Sequence, residues 1–414
     1  MDAVSVRCGP AGGDGVIGQF RTFDRSVQLL LLNQFTINVG FYMLMPYLAS
    51  HLSVTLALAG WAVGLVLGVR NFAQQGMFLI GGTLADRLGY KPLIVAGCAL
   101  RTAGFLLLGL VDGLPALVVA SALTGFAGAL FNPAVRAYVA ADAGPRRVEA
   151  FALFNVFYQT GILVGPLIGL ALTSVDFRLT CLVAAFVFLV LTVLQWRSLP
   201  SRSGTPSGDS VLADWRLVFG NRRFVLFALA MTGSYVLSFQ VYLALPLASG
   251  SAVLTAVLFA VSGVLAVLGQ MRVTAWARAR LGPERSLALG VLVLGLAFLP
   301  AVFGGWAGLI ACAGLLALGT MVVFPFEMDK IVSLSGDRLV ATHYGLYNTV
   351  VGVGILLGNL LTGIAFDAAA RAGVPWMPWL ALTSVGLGCA WALKKLAQRK
   401  LASRVEPGLA RSTK

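Results

Sequence analysis

Residues 153–167 read "LFNVFYQTGILVGPL", and residues 346–360 read "LYNTVVGVGILLGNL". One offset of 193 positions (165 to 358) pairs Asn155 with Asn348, Gly161 with Gly354 and Gly165 with Gly358. At that same offset the "RLG" of 87–89 returns as the "RLG" of 280–282. Further back, Tyr42 and Pro46 match Tyr242 and Pro246. Shared apolar composition does not hold Asn, Arg and Gly at one spacing. The chain is therefore expected to hold two copies of one unit.

Composition says what surrounds those units. Of 414 residues, 58% are hydrophobic and only 11% are charged, where a soluble domain carries about 25% charged residues. Runs such as "LVAAFVFLVLTVLQW" (182–196) and "LALGVLVLGLAFLPAVF" (287–303) lack even the polar stripe of an amphipathic helix. At about twenty apolar residues per crossing, twelve helical spans are expected. The first six lie near 27–49, 56–80, 93–111, 115–139, 150–173 and 177–196. The second six lie near 223–248, 252–270, 286–303, 306–328, 342–366 and 376–396. Between the sets, 197–222 contains "RSLPSRSGTPSGDS" and reads as a flexible linker. The predicted fold is an all-α membrane protein. Residues 27–196 and 223–398 form its two pseudo-symmetric six-helix bundles, with cytoplasmic tails at 1–26 and 399–414. Two homologous bundles joined by a loop suit alternating access, with the site between them near the bilayer midplane.

The net charge of +14 would suggest nucleic acid in a soluble protein. Here the loops explain it. With both termini in the cytoplasm, all but five of the 30 Lys and Arg fall on inner loops and tails. Arg178 and Arg371 fall outside, and Arg70, Arg101 and Arg136 lie within spans. Basic residues resist translocation, so this asymmetry fixes the orientation in the plasma (inner) membrane. The positive loops face an anionic inner leaflet, and no nucleic-acid partner is implied. The first 26 residues lack the basic start and short apolar core of a cleavable signal. Cys8, Cys98, Cys181, Cys312 and Cys389 show no disulfide or metal spacing and read as small packing residues.

One bend breaks the apolar pattern: "GGTLADRLGYKP", residues 81–92. Its second copy, "VTAWARARLGPERS", keeps Arg280 and Gly282 but has Ala279 where the first has Asp86. A carboxylate at that interface can accept hydrogen bonds from a helix N-terminus or pair with an Arg. Span eleven begins on the same side near Thr342, and Arg136 ends span four there. Gly82, Asp86, Arg87, Gly89, Lys91 and Arg136 are therefore expected to clamp the halves in one conformation. The plainer alternative is a solvated turn, but Asp contributes nothing to a positive-inside signal.

Gly82, Asp86, Gly89 and Lys91 resemble the G-x-x-x-D-x-x-G-R-K loop between spans two and three of the major facilitator superfamily, with Tyr90 where that family usually has Arg. Gly161, Gly165, Pro166 and Gly169 in span five resemble the antiporter motif of its drug/proton exporters. "VRNFAQQG" (69–76), "FNPAVR" (131–136) and "DFRL" (176–179) are similar to the MdtH-type multidrug transporters. Two departures stand out. "SALTGFAGAL" (121–130) carries no basic residue in span four, and Asn33 stands where the resembled transporters have an Asp.

In the resembled fold, spans one, four, seven and ten line the cavity. Their polar and aromatic residues are Asn33, Asn38, Tyr42, Asn132, Tyr235, Gln240, Tyr242, Phe324 and Phe326. Spans five and eleven add Asn155, Tyr158, Gln159 and Asn348. Independently of the resemblance, intramembrane polar groups are functional candidates. Arg70 and Gln74 share one face of span two, and Arg101 lies roughly 13 Å into span three. A structural reading of both arginines, on backbone carbonyls or snorkelling to the surface, stays open. Few fixed hydrogen-bonding groups among many rings suit lipophilic and varied substrates. Pro166 and Pro325 are expected to bend their helices. Proton coupling needs a titratable group that the cavity can reach. Glu327 is the acidic residue closest to a span, expected near the inner interface where Pro325 unwinds the helix; an interfacial anion beside Asp329 and Lys330 is the alternative.

The expected activity is proton-driven efflux of small lipophilic compounds by a monomer, an antiporter rather than an enzyme. Export or import of one specific small metabolite is the alternative within transport, and a membrane-embedded enzyme the alternative from another class. With only His51 and His343 there is no His-rich metal site, and neither H-E-x-x-H nor G-x-S-x-G occurs. The ATP-binding G-x-x-x-x-G-K-[ST] is missing as well, and no cofactor is expected. The orientation has a direct test in a background without native cysteines. Single cysteines at 112 and 371 should react with impermeant reagents from outside intact cells, and one at 205 should not; labelling of 205 would overturn the topology.

Overall fold

The computed structural model describes residues 16–58, 60–202, 204, 210–249 and 252–409, which contain helices, turns and no strand. Cys8, most of the N-terminal tail, position 205 and the last residues of the C-terminal tail lie outside them. In the first half, α1 runs Arg25–Tyr42 and resumes as Met45–Ser50. The second helix, α2, runs Gly60–Gln75 and continues as Phe78–Leu88. Then come α3 (Tyr90–Leu110), α4 (Leu114–Ala143), α5 (Arg147–Thr173) and α6 (Phe177–Ser198). The second half begins with α7 (Arg222–Ser238) and α8 (Ala252–Arg280), and α9 (Gly282–Leu296) follows. The last three are α10 (Gly305–Ser335), α11 (Val340–Ala372) and α12 (Met377–Leu409). Among the described residues, eight helical stretches are long and apolar enough to cross a membrane, one of them, Leu114–Thr173, holding both α4 and α5.

Local chemistry sets the ends. The Asp176 carboxylate accepts from the Arg178 amide at 2.9 Å to start α6, and the Asn221 side chain accepts from the Phe224 amide at 3.2 Å to start α7. Gly89, with φ of 93°, separates α2 from α3, and Gly282, with φ of 73°, opens α9 at the equivalent bend. The repeat in the sequence is thus a repeat of backbone. Packing follows the same symmetry: α3 lies against α4 and α6, as α9 lies against α10 and α12.

The glycines of α5 face α1. A methyl group on Gly161, Gly165 or Gly169 would come within 2.6 Å of Asn38 Cβ, 2.8 Å of Tyr42 Cβ and 2.0 Å of the Met43 carbonyl oxygen respectively. That stretch is a close helix crossing of the kind small residues allow. Pro166 lies inside α5, its carbonyl accepting from the Tyr47 hydroxyl at 2.6 Å. Pro325 does not unwind α10, which is one continuous helix from Gly305 to Ser335. The expectation of a break there is corrected, because neighbouring helices enclose the freed backbone group.

The linker also departs from expectation. Val211–Gly220 is a helix, capped by Ser210, whose hydroxyl accepts from the Ala213 amide at 3.2 Å. It is docked on α2: Arg87 makes two contacts to Asp214, at 2.7 and 2.6 Å, and the Trp215 indole donates to the Thr83 hydroxyl at 2.8 Å. Earlier in the linker, the Pro200 carbonyl accepts from the Tyr138 hydroxyl at 2.9 Å. Ser, Pro and Gly content signalled flexibility, but buried Asp214 and half-buried Trp215 supply polar anchors that composition does not reveal. Replacing Asp214 by Ala leaves Arg87 without that carboxylate and should weaken linker docking by about 1–3 kcal/mol. Limited proteolysis should then cut within 199–220 at least several-fold faster, and an unchanged rate would overturn the docking role.

Candidate functional site

The two halves meet most tightly at the end of the molecule that carries the linker. There α2 packs on α11 and α5 packs on α8. A methyl on Gly82 would lie 2.2 Å from the Ala341 carbonyl oxygen, and one on Gly345 would lie 2.4 Å from that of Phe78. This backbone-to-backbone approach brings Asp86 onto the start of α11. Its carboxylate accepts from the Thr342 amide and the Thr342 hydroxyl, both at 2.7 Å, and from the Ala341 amide at 3.2 Å. The Tyr90 hydroxyl donates to it at 3.3 Å, so Tyr90 contributes directly where the resembled family has Arg. Asp86 is fully buried, and Gly204 of the linker lies over it.

The remaining expected clamp residues divide. Gly82 and Gly89 shape the crossing and the bend. Arg87 belongs to the linker contact, and Lys91 is half-buried at the start of α3. Arg136 does not pair with Asp86: α4 continues past it to Ala143, and its guanidinium donates to Asn348 Oδ1 on α11 at 3.0 Å. The pseudo-symmetric contact uses opposite charges. Glu149, in the first turn of α5, pairs with Arg278 near the end of α8. Arg147 adds a contact of 3.3 Å to Asp337, just before α11.

Deeper between the halves lies a polar layer. Glu327 on α10 is 2% exposed and accepts from the Tyr347 hydroxyl of α11, with Tyr235 of α7 as a second hydrogen-bonding partner. Arg136, from the other half, is close enough to act on this carboxylate electrostatically. Glu327 therefore does not stand at the interface as expected, since α10 runs on for two further turns to Ser335. Asn155 of α5 donates to Gln270 of α8 at 2.6 Å. Tyr42 of α1 shares hydrogen bonds with Tyr158 of α5 and with Tyr242, just beyond α7. Phe324 stacks on Phe154 across the halves, with ring centres 6.5 Å apart.

Other expected cavity residues lie inside one half. Asn33 is buried and accepts from Gln195 of α6 at 2.6 Å, and Asn38 donates to the Tyr158 carbonyl at 3.1 Å. Asn132 donates to the Gly128 carbonyl of its own helix at 2.8 Å. Gln240 is buried against the Val236 carbonyl and Asn359, and Phe326 is fully buried. Arg101 is enclosed among α1, α4 and α6, whereas Arg70 and Gln74 on α2 are half-buried and bonded to each other. Sequence reading missed Tyr347 and Gln270. Tyr347 had a usable signal, lying beside Asn348 within the repeated stretch; Gln270, near the middle of a long apolar helix, had only its cost in lipid. It also missed a hollow of about 400 Å³ at the end opposite the linker, where His51 stacks on Phe177 at 3.9 Å.

The Asp86 contact is expected to set the balance between conformations. Asp86→Asn removes the charge and turns an amide toward the α11 backbone donors. A loss of about 2 kcal/mol corresponds to a roughly thirty-fold shift away from the state closed at the linker end. Cysteine accessibility of residues beneath the Gly82–Ala341 crossing should rise accordingly in folded protein, and unchanged accessibility would reduce the bend to a topological signal.

Comparison with known proteins agrees with this architecture. Residues 30–359 match the Major Facilitator Superfamily. An MFS-type transporter of Mycobacterium tuberculosis (strain CDC 1551 / Oshkosh) is 54% identical over 395 residues, covering 91% of this chain and 94% of the relative. The multidrug resistance protein MdtH of Salmonella newport is 29% identical over 391 residues, 92% of this chain and 96% of that protein. Among solved structures, the Major Facilitator Superfamily transporter FucP in its outward conformation superposes with a TM-score of 0.72 at 17% identity. That superposition covers 89% of this chain and 98% of that one.

Proposed function

The chain belongs to the Major Facilitator Superfamily, and on that premise we propose that it is a proton-coupled exporter of small lipophilic compounds working by alternating access. It is a multi-pass membrane transporter and not an enzyme. In our reading it sits in the plasma membrane with the linker and both termini cytoplasmic, as the Lys and Arg distribution favours. The state described above is then outward-facing, closed at the cytoplasmic end. The two bundles, 27–196 and 223–398, are the rigid bodies that rock.

One observation carries the coupling. A buried carboxylate, Glu327, belongs to the second half, while the cation nearest in effect, Arg136, belongs to the first. Rocking the halves apart on the cytoplasmic side changes their separation. Burying a carboxylate is favourable only when it is paired or hydrogen-bonded, and otherwise the neutral acid is retained. A proton on Glu327 is thus tied to which way the transporter faces. Tyr235 and Tyr347 supply hydroxyls that serve either state. Export of varied lipophilic compounds, rather than of one metabolite, rests on the aromatic residues of the layer and on the similarity to the multidrug resistance protein MdtH.

The test is dye transport in everted vesicles with and without an imposed proton gradient. The native protein should accumulate dye only with the gradient. Glu327→Gln, which mimics the protonated acid, should bind dye but accumulate no more than vesicles without a gradient. Full gradient-driven transport by the Gln variant would move the coupling group elsewhere, to Asp86, Asp329 or His343.

A further inference from the structure

The polar layer leaves two cations without a counter-charge. Arg101 on α3 is 2% exposed, donates to the Thr124 carbonyl at 3.1 Å and lies over the rings of Phe41, Phe131 and Phe188. Arg70 on α2 is less enclosed. Its guanidinium donates to Gln74 Oε1 at 3.3 Å, reaches Met45 Sδ at 3.8 Å and sits 4.7 Å from the centre of the same Phe41 ring. The Nε of each arginine is buried and has no hydrogen-bond partner. Among the described residues neither pairs with a carboxylate: the groups that act on them electrostatically are Tyr42, Cys98 and each other. Glu327 is occupied by its tyrosines and Arg136.

Two guanidinium groups on one ring at membrane depth repel each other, and an unpaired buried charge is strongly unfavourable. Three rings and a carbonyl hold Arg101 in place. Arg70 has one amide oxygen and a thioether, which leaves most of its five donors free. It also stands beside Tyr42, whose hydroxyl reaches Tyr242 of the other half, and Tyr242 is 48% exposed. Arg70 therefore lies in the first half beside the Tyr42–Tyr242 pair that joins the halves, with an open aromatic surface next to it.

We propose that the transported compounds are lipophilic organic anions, whose carboxylate or sulfonate docks on Arg70 while their apolar body lies on Tyr42 and Tyr242. Arg101 adds positive charge from behind and does not touch the substrate. The proposal rests on the transporter reading above and names the substrate class for it. A planar fork on a carboxylate gives charge-assisted, directional hydrogen bonds in a low-dielectric site.

The test uses three probes with one ring system: 2-naphthoate, neutral 2-naphthamide and 2-naphthylmethylammonium. Purified protein in lipid nanodiscs should bind naphthoate on the order of ten-fold more tightly than the amide. Arg70→Gln should erase that preference, and Arg70→Lys, which keeps the charge without the fork, should retain part of it; thermal unfolding establishes that each variant is folded. If Arg70→Gln does not fold, the native preference and the Arg70→Lys value decide. Amide binding as tight as naphthoate, or a preference unchanged in Arg70→Gln, overturns the proposal. Counterflow in proteoliposomes separates the two readings. Movement of the amide or the ammonium compound without naphthoate overturns the anion proposal alone, whereas movement of none of the three overturns lipophilic transport as well.

Discussion

The Asp86 carboxylate sits on the N-terminus of α11 and ties the two halves together at the linker end. Asp86 is buried with no Arg beside it among its hydrogen-bonding partners, so its charge is compensated by the amides of Ala341 and Thr342, two hydroxyls and the positive end of α11. Hydrogen bonds to a charged group contribute about 1.5–3 kcal/mol each, and burying the carboxylate opposes them. Under the proposed alternating access, such a contact has to favour one conformation and still break once per cycle. Gly82 makes it possible, since any side chain there would push α11 back along with its donors.

The same site in the other half explains why only one copy carries the acid. The α11 first turn has no acidic residue, so its N-terminus is free to receive one from α2. The first turn of α5 already holds Glu149, and a second carboxylate from α8 would face a like charge. Ala279 therefore stands where Asp86 would, and the neighbouring Arg278 meets Glu149 instead. These side chains are about a third to a half exposed, and such pairs contribute about 0.2–1 kcal/mol. Equal backbones, marked by Gly89 and Gly282, thus carry unequal contacts, one fully buried and one partly exposed.

Much of this was legible in the sequence for definite reasons. The twelve helices follow from hydropathy, and the offset that joins Asn155 to Asn348 follows from duplication. Asp86 was recognisable because its counterpart is Ala279, a difference that topology signals do not explain. The rest depended on distances that no spacing encodes. Arg136 sits near the linker end as expected, yet its partner is Asn348, because α4 extends beyond it. Glu327 looked interfacial only because the apolar run ended there; α10 continues as a polar-faced helix beneath the linker end. Asp214 and Trp215 sit in a stretch whose composition resembles a tether, and two well-placed anchors outweigh composition.

The contacts that can change during transport are those that cross between the halves. Asn33 with Gln195 and Asn38 with Tyr158 join helices of one half, so the proposed rocking of two bundles leaves them together. Asn155 with Gln270, Arg136 with Asn348, and Tyr42 with Tyr242 join the two halves and are the contacts that the proposed rocking exchanges. Asn155 and Gln270 are neutral amides, which form and break hydrogen bonds at little net cost where water can replace the partner. Arg136 is different, because it is a cation acting on Glu327, the one buried carboxylate of the opposite bundle among the described residues. Moving it changes the charge balance of the layer, and in a low-dielectric site that change has to be met by a proton, an anion or water. In the proposed mechanism coupling needs no dedicated relay: a fixed positive charge on one body and a titratable acid on the other are enough.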